Sequence, residues 1–184
     1  SQVTVLGNFA GRFNLVSENV FIGYKAGNVN NTGRSNTFIG WQSGIANTIA
    51  NDNTFIGFAA GSANVLGASN TFLGKGAGDA NTSANDNTFI GTDAGGANAT
   101  GTSNTFVGAR AGDANTSGNN TFVGTDAGGA NTSGASNTFL GKGAGDANTT
   151  ANDNTFIGTD AGGANVTGAS NTFIGKGAGD VNTV

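Results

Sequence analysis

The chain repeats one short motif eleven times. Asn-Thr-Phe, then an aliphatic residue and Gly, begins at Asn36, Asn53, Asn70, Asn87, Asn104, Asn120, Asn137, Asn154 and Asn171. Asn19-Val20-Phe21-Ile22-Gly23 and Val3-Thr4-Val5-Leu6-Gly7 are weaker copies. The spacing is 17 residues with two steps of 16, and the repeats account for essentially all 184 residues. A period this short is too small for two packed helices and suits one turn of a parallel β-solenoid. Gly at two fixed positions of every repeat disfavours helix further, each costing about 1 kcal/mol relative to Ala. Asn-Thr-Phe-Ile bounded by Gly reads instead as a short strand. The expected fold is all-β: a parallel β-solenoid (β-roll) of about eleven 16–17-residue coils, forming a single repeat domain over residues 1–184. At about 4.8 Å per coil, such a rod is on the order of 50 Å long.

Aligned on this period, each column acquires a physical role. Gly follows the aliphatic residue in every coil, from Gly7, Gly23 and Gly40 to Gly175, and a second column runs Gly11, Gly27, Gly44, Gly61 to Gly179. Both are expected at corners with positive φ or close backbone approach. Asn occupies a third column throughout: Asn14, Asn30, Asn47, Asn64, Asn81, Asn98, Asn115, Asn131, Asn148, Asn165 and Asn182. Stacked in register, these amides are expected to hydrogen-bond along the rod as a ladder. Two Ala columns, represented by Ala77 and Ala80, are small enough to line a narrow interior.

Successive side chains of a strand point to opposite faces, so its two apolar columns cannot both face inward. One is Phe21, Phe38, Phe55, Phe72, Phe89, Phe106, Phe122, Phe139, Phe156 and Phe173; the other is Ile22, Ile39, Ile56, Leu73, Ile90, Val107, Val123, Leu140, Ile157 and Ile174. Whichever column is not core forms an apolar stripe larger than a soluble monomer usually exposes. In one reading that stripe is an interface between copies, three rods sharing an axis. In the other, Phe points inward and an ice-binding face carries the aliphatic residues with Thr37, Thr54, Thr71, Thr88, Thr105, Thr121, Thr138, Thr155 and Thr172.

The pattern Asn-Thr-Phe-Ile-Gly-x-x-Ala-Gly-x-Ala-Asn resembles the β-roll head repeats of trimeric autotransporter adhesins. It is also similar to Asn-Thr-Phe-Ile-Gly arrays of tail-fibre-like bacterial surface proteins. That resemblance covers nearly the whole chain and implies a homotrimeric β-roll on a cell surface or virion, outside the cell, with a structural or adhesive role. An adhesive role implies a host-surface glycan or protein as partner. The chain departs from the adhesin heads in its longer coil and in carrying Phe where they carry a small residue.

Composition narrows the function classes. With no His and no Cys, zinc, haem, iron–sulfur centres, thiol nucleophiles and Ser-His-Asp triads lack their ligands or bases. A net charge of −4 gives no electrostatic footprint for nucleic acid. No apolar run is long enough to span a bilayer as a helix. Acidic residues recur in rows rather than as one convergent pair, so no enzyme activity, cofactor or metal is expected.

Four features are candidates for contact or register. Tyr24, Trp41 and Phe58 occupy one turn column that later holds Lys, Thr or Ala, and such a stack is a candidate sugar platform or partner contact. Lys75, Asp93, Arg110, Asp126, Lys142, Asp160 and Lys176 read as one turn position alternating in charge, a surface ladder that opposes one-coil slips. Asp79, Asp113, Asp146 and Asp180 recur every second coil at another turn. Finally, the end coils gain bulk, with Phe9, Phe13, Leu15 and Val16 at one end and Val181 and Val184 at the other, which reads either as head-to-tail stacking into a filament or as a fragment of a longer repeat array. Seven of the eight Asn-x-Ser/Thr sequons fall in the repeated Asn column and are generated by the repeat itself; Asn119 is the exception.

Overall fold

The computed structural model describes residues 2–182, which form one eleven-stranded parallel sheet with the strands in chain order. The strands are β1 (Val3–Leu6), β2 (Asn19–Ile22), β3 (Thr37–Ile39), β4 (Thr54–Ile56), β5 (Thr71–Leu73), β6 (Thr88–Ile90), β7 (Thr105–Val107), β8 (Thr121–Val123), β9 (Thr138–Leu140), β10 (Thr155–Ile157) and β11 (Thr172–Ile174). The fold is the expected all-β parallel solenoid of about 17 residues per coil, with no helix among the described residues. Phe38 pairs with Phe55, Phe55 with Phe72, and so on without a slip. Both 16-residue coils also keep register. Most strands are only three residues long, but the turns stack too. Gly44 N–H donates to the Ala60 carbonyl at 3.0 Å, and Gln42 N–H to the Tyr24 carbonyl at 2.8 Å. Each coil is therefore tied to its neighbours around its circumference.

Phe is the inward column. Phe21 through Phe156 are fully buried, and from Phe38 to Phe173 neighbouring ring centroids lie 4.7–4.9 Å apart. Small residues make room for this ring stack. A Cβ added at Gly95, where φ is +62°, would meet the Phe89 ring, and the fully buried Ala94 forms another part of the wall. Gly91 permits close approach between coils. At φ +139° its Cα abuts the Gly108 backbone of the next coil, and a Cβ there would strike the Gly108 carbonyl. Of the two Ala columns, the one containing Ala77 is core, whereas Ala80 is half-exposed and Ala97 exposed. The second small column of the interior is instead Ala50, Ala84 and Ala151.

Between Phe55 and Phe156 neighbouring ring planes differ by only 5–8°. Successive rungs therefore rotate far less than the roughly 20–25° usual in sheets. Flat sheets of this kind rely on stacking and side-chain ladders, and this interior supplies both. Leu15 at the β1 end and Val181 at the β11 end are exposed; Val184, counted with the bulky end, lies outside the described residues.

Candidate functional site

With Phe inward, the opposite face of the sheet carries Thr and aliphatic side chains together. Thr37, Thr54, Thr88, Thr105 and Thr155 are half-buried, as are Ile39, Ile56, Ile90 and Ile157; Thr71, Thr121, Thr138, Thr172, Leu73, Leu140 and Ile174 are exposed. Neighbours in the flat array shield one another, so an outward residue in mid-rod is only partly accessible. The result is a regular stripe two side chains wide, repeating at each rung.

Two Asn ladders run through the interior. In the expected one, the Asn47 side-chain amide donates to Asn30 Oδ1 at 2.7 Å, Asn64 to Asn47 at 3.0 Å, Asn131 to Asn115 at 2.7 Å, Asn148 to Asn131 at 2.9 Å and Asn165 to Asn148 at 3.1 Å. The ladder breaks in the middle. Asn81 turns its amide onto Ala84, accepting that residue's N–H at 2.9 Å, and Asn98 donates to the Gly101 carbonyl at 2.8 Å. The second ladder is the Asn that opens Asn-Thr-Phe. Asn36 Oδ1 accepts the Asn53 N–H at 3.0 Å, while its amide donates to the Ala50 carbonyl at 2.8 Å, and the same pair of bonds recurs up the rod. All these Asn side chains from Asn30 to Asn165 are fully buried, so the seven sequons in the repeated column are closed to glycosylation in the folded rod. Asn119 is exposed.

Tyr24, Trp41 and Phe58 do form a continuous stack on the surface. Tyr24 and Trp41 centroids lie 5.9 Å apart at 23°, Trp41 and Phe58 4.6 Å apart at 6°. Lys25 Nζ sits 5.2 Å from the Tyr24 ring centroid, and Phe9 meets that ring edge-on. The facing sides of the three rings therefore cover one another, and Phe58, which closes the stack, is 50% exposed. A sugar stacks on an open ring face, and the faces between neighbouring rings of this stack are closed to one.

The charge ladder occupies two columns, not one. Lys75, Lys142 and Lys176 directly follow the strand Gly, whereas Asp93, Arg110, Asp126 and Asp160 come one residue later. That later position is left-handed in every coil, for example φ 54° at Asp93 and 53° at Arg110. Among the described residues one ion pair results: Arg110 Nε and Nη2 donate to Asp126 Oδ1 and Oδ2 at 2.7 and 2.9 Å. Exposed as it is, the pair contributes about 0–1 kcal/mol. Glycine and aspartate interlock at the other turn, in the column of Asp79 and Asp113: a Cβ at Gly96 would lie 2.5 Å from Asp113 Oδ1. Gly96 thus leaves the space that the neighbouring carboxylate fills. Among the described residues no three acidic side chains converge as a metal-ligand set.

Partial burial raises the pKa of Asp79, Asp113 and Asp146, reinforced by Asp93 beside the first two and Asp160 beside the third. Charging these groups is thus harder in the fold than in the unfolded chain. Their stabilising contribution is fully present below the ordinary carboxylate range and is lost as pH rises through the raised values. Thermal melts are expected to shift upward on going from neutral pH to about pH 4. The triple substitution Asp79→Asn, Asp113→Asn, Asp146→Asn should flatten that slope; an unchanged slope would mean these carboxylates do not cause it.

Sequence reasoning also missed a second left-handed column without glycine: Glu18, Ser35, Asp52, Ser69, Asp86, Ser103, Asn119, Ser136, Asp153 and Ser170, at φ 55–71°. Its signal was the restriction from Ser35 onward to Ser, Asp and Asn, side chains that suit local backbone hydrogen bonding and, for Asp and Asn, this conformation. In comparison with known proteins, no family model, no curated protein and no solved structure matches the chain.

Proposed function

We propose that the chain is a non-enzymatic structural segment of an extracellular fibre, in which the outward sheet face is buried between copies of the rod around a shared three-fold axis. The observation that carries this reading is the unbroken outward aliphatic row from Ile22 to Ile174, only half-buried or exposed in a single chain. Such a row is large for the free surface of a soluble monomer, and a cyclic trimer buries the same patch on every copy. An adhesive role toward a host-surface glycan or protein would fall to the exposed edges and turns. Light scattering is expected to give the mass of three chains, resistant to dilution. Ile56→Lys combined with Ile90→Lys, two half-exposed positions, should reduce it to one chain. A wild-type mass of one chain overturns the shared-axis fibre.

The inward Phe column also favours a second reading. It leaves Thr and aliphatic side chains together on a nearly untwisted face with rungs about 4.8 Å apart, an arrangement suited to ordering water against ice. A one-chain mass with thermal hysteresis that disappears in Thr88→Tyr combined with Thr105→Tyr would establish that reading instead.

A further inference from the structure

We infer that the outward face binds a second copy through its two margins, Lys75 and Lys142 of one rod meeting Asp86 and Asp153 of the next. This rests on the fibre reading and deepens it by naming the side chains that join neighbouring rods. The face is wider than its Thr and aliphatic columns. Two residues before the first outward side chain of each strand stands the left-handed column that includes Glu18 and Asp52. Two residues after each outward aliphatic stands the column of Tyr24, Trp41 and Phe58. From Glu18 to Ser170 the first column is exposed in every coil, and it holds four carboxylates, Glu18, Asp52, Asp86 and Asp153, and no cation. From Tyr24 to Lys176 the second holds three cations, Lys75, Lys142 and Lys176, and no carboxylate. Tyr24 and Trp41 add an O–H and an indole N–H to that side, both able to donate to a carboxylate. The face is thus bordered by cations along one margin and by carboxylates along the other.

These charges are not used within the chain. The one ion pair among the described residues joins Arg110 to Asp126 in the turn column beyond the Lys margin, whereas Lys75, Lys142, Asp86 and Asp153 are exposed. Their signs match across the face. Lys75 and Asp86 belong to one coil and Lys142 and Asp153 to another, so each Lys stands within one rung, about 4.8 Å, of the height of its Asp. Three rods around a shared axis set the Lys margin of each against the carboxylate margin of the next. Both pairs then form at every seam. A rod turned end for end would set Lys against Lys and Asp against Asp. A slip of one coil would set Lys75 opposite Ser69 or Ser103, and Lys142 opposite Ser136 or Ser170. The apolar stripe between the margins supplies area but is indifferent to direction and height. Charge complementarity at the margins fixes both.

The chain has no Cys, so thiols can be placed on the margins alone. The variant carrying Lys142→Cys and Asp153→Cys, treated with a short bis-maleimide, is expected to run on a denaturing gel as two and three linked chains. Each single variant should remain one chain. Light scattering of the untreated double variant gives its mass in parallel. A three-chain mass without linking, or linking by Lys142→Cys alone, would overturn the margin pairing and leave the shared-axis fibre standing. A one-chain mass would overturn both. Charge reversal tests the same seam independently. Lys75→Asp with Lys142→Asp should weaken association by about tenfold or more at low salt, because like charges then meet. Adding Asp86→Lys and Asp153→Lys should restore it. Association indifferent to the first pair of reversals, or no better with all four, would overturn the pairing.

Discussion

Phe89→Ala is expected to cost about 3–5 kcal/mol, the range for emptying a large aromatic site in a core. Phe89 is fully buried, 4.9 Å from the Phe72 ring and 4.8 Å from Phe106. Its remaining walls are Ala94 and the backbone of Gly95, which have no side chain that could swing into the gap. The site therefore cannot collapse, and the cavity term is felt in full. Stability in a solenoid is close to a sum of coil and neighbour-interface terms, and the substitution weakens two interfaces at once. Denaturant unfolding should accordingly become less cooperative, with the rod parting near β6. Phe58→Ala serves as the contrast: that ring is 50% exposed and stacks on Trp41 at the surface, so its loss should cost about 1 kcal/mol or less. Equal losses at Phe89 and Phe58 would contradict the division between inner and outer stacks.

The period, the strand positions and the two Gly columns were legible because each is a strict one-dimensional pattern. Which strand face turned inward was not. Phe38 and Ile39 are both apolar, and alternation alone is symmetric between the two faces. What breaks the symmetry lies across the coil, where Gly44 and Ser43 or Ala60 leave a slot that fits a flat ring better than a branched chain. Orientation was also the missing part at Tyr24, Trp41 and Phe58. Rungs about 4.8 Å apart with little twist oblige same-column rings to lie face to face, which closes the faces between neighbouring rings. The charged turn failed for a different reason: Lys75 and Asp93 read as one column because their signs alternate along the rod, but the backbone becomes left-handed between their two columns. The second Asn ladder was hidden in plain view, because Asn36 and its counterparts read as the first residue of a strand rather than as its buried anchor.

That second ladder sets up the other large expected effect. Asn137 is fully buried; its Oδ1 accepts the Asn154 N–H at 2.9 Å, and its amide donates to the Ala151 carbonyl at 2.8 Å. Asn137→Asp keeps the shape and the acceptor but replaces the donor with an oxygen facing that carbonyl. At neutral pH the fold then holds either a buried carboxylate or a proton taken up against the pH. By analogy with breaking a buried polar pair, the cost is about 3–5 kcal/mol. Protonation supplies a hydroxyl that can donate to the Ala151 carbonyl, so the penalty should shrink in acid. Because burial raises the carboxyl's pKa in the fold, the recovered stability is present at low pH and lost as pH rises through that raised value. Asn119→Asp makes the same chemical change at an exposed position and should move stability by no more than about 0.5 kcal/mol at either pH. Denaturant midpoints for both variants at pH 7 and about pH 4 decide the matter. A penalty at residue 137 that does not change with pH would mean that shape, rather than the missing donor, is what the ladder requires.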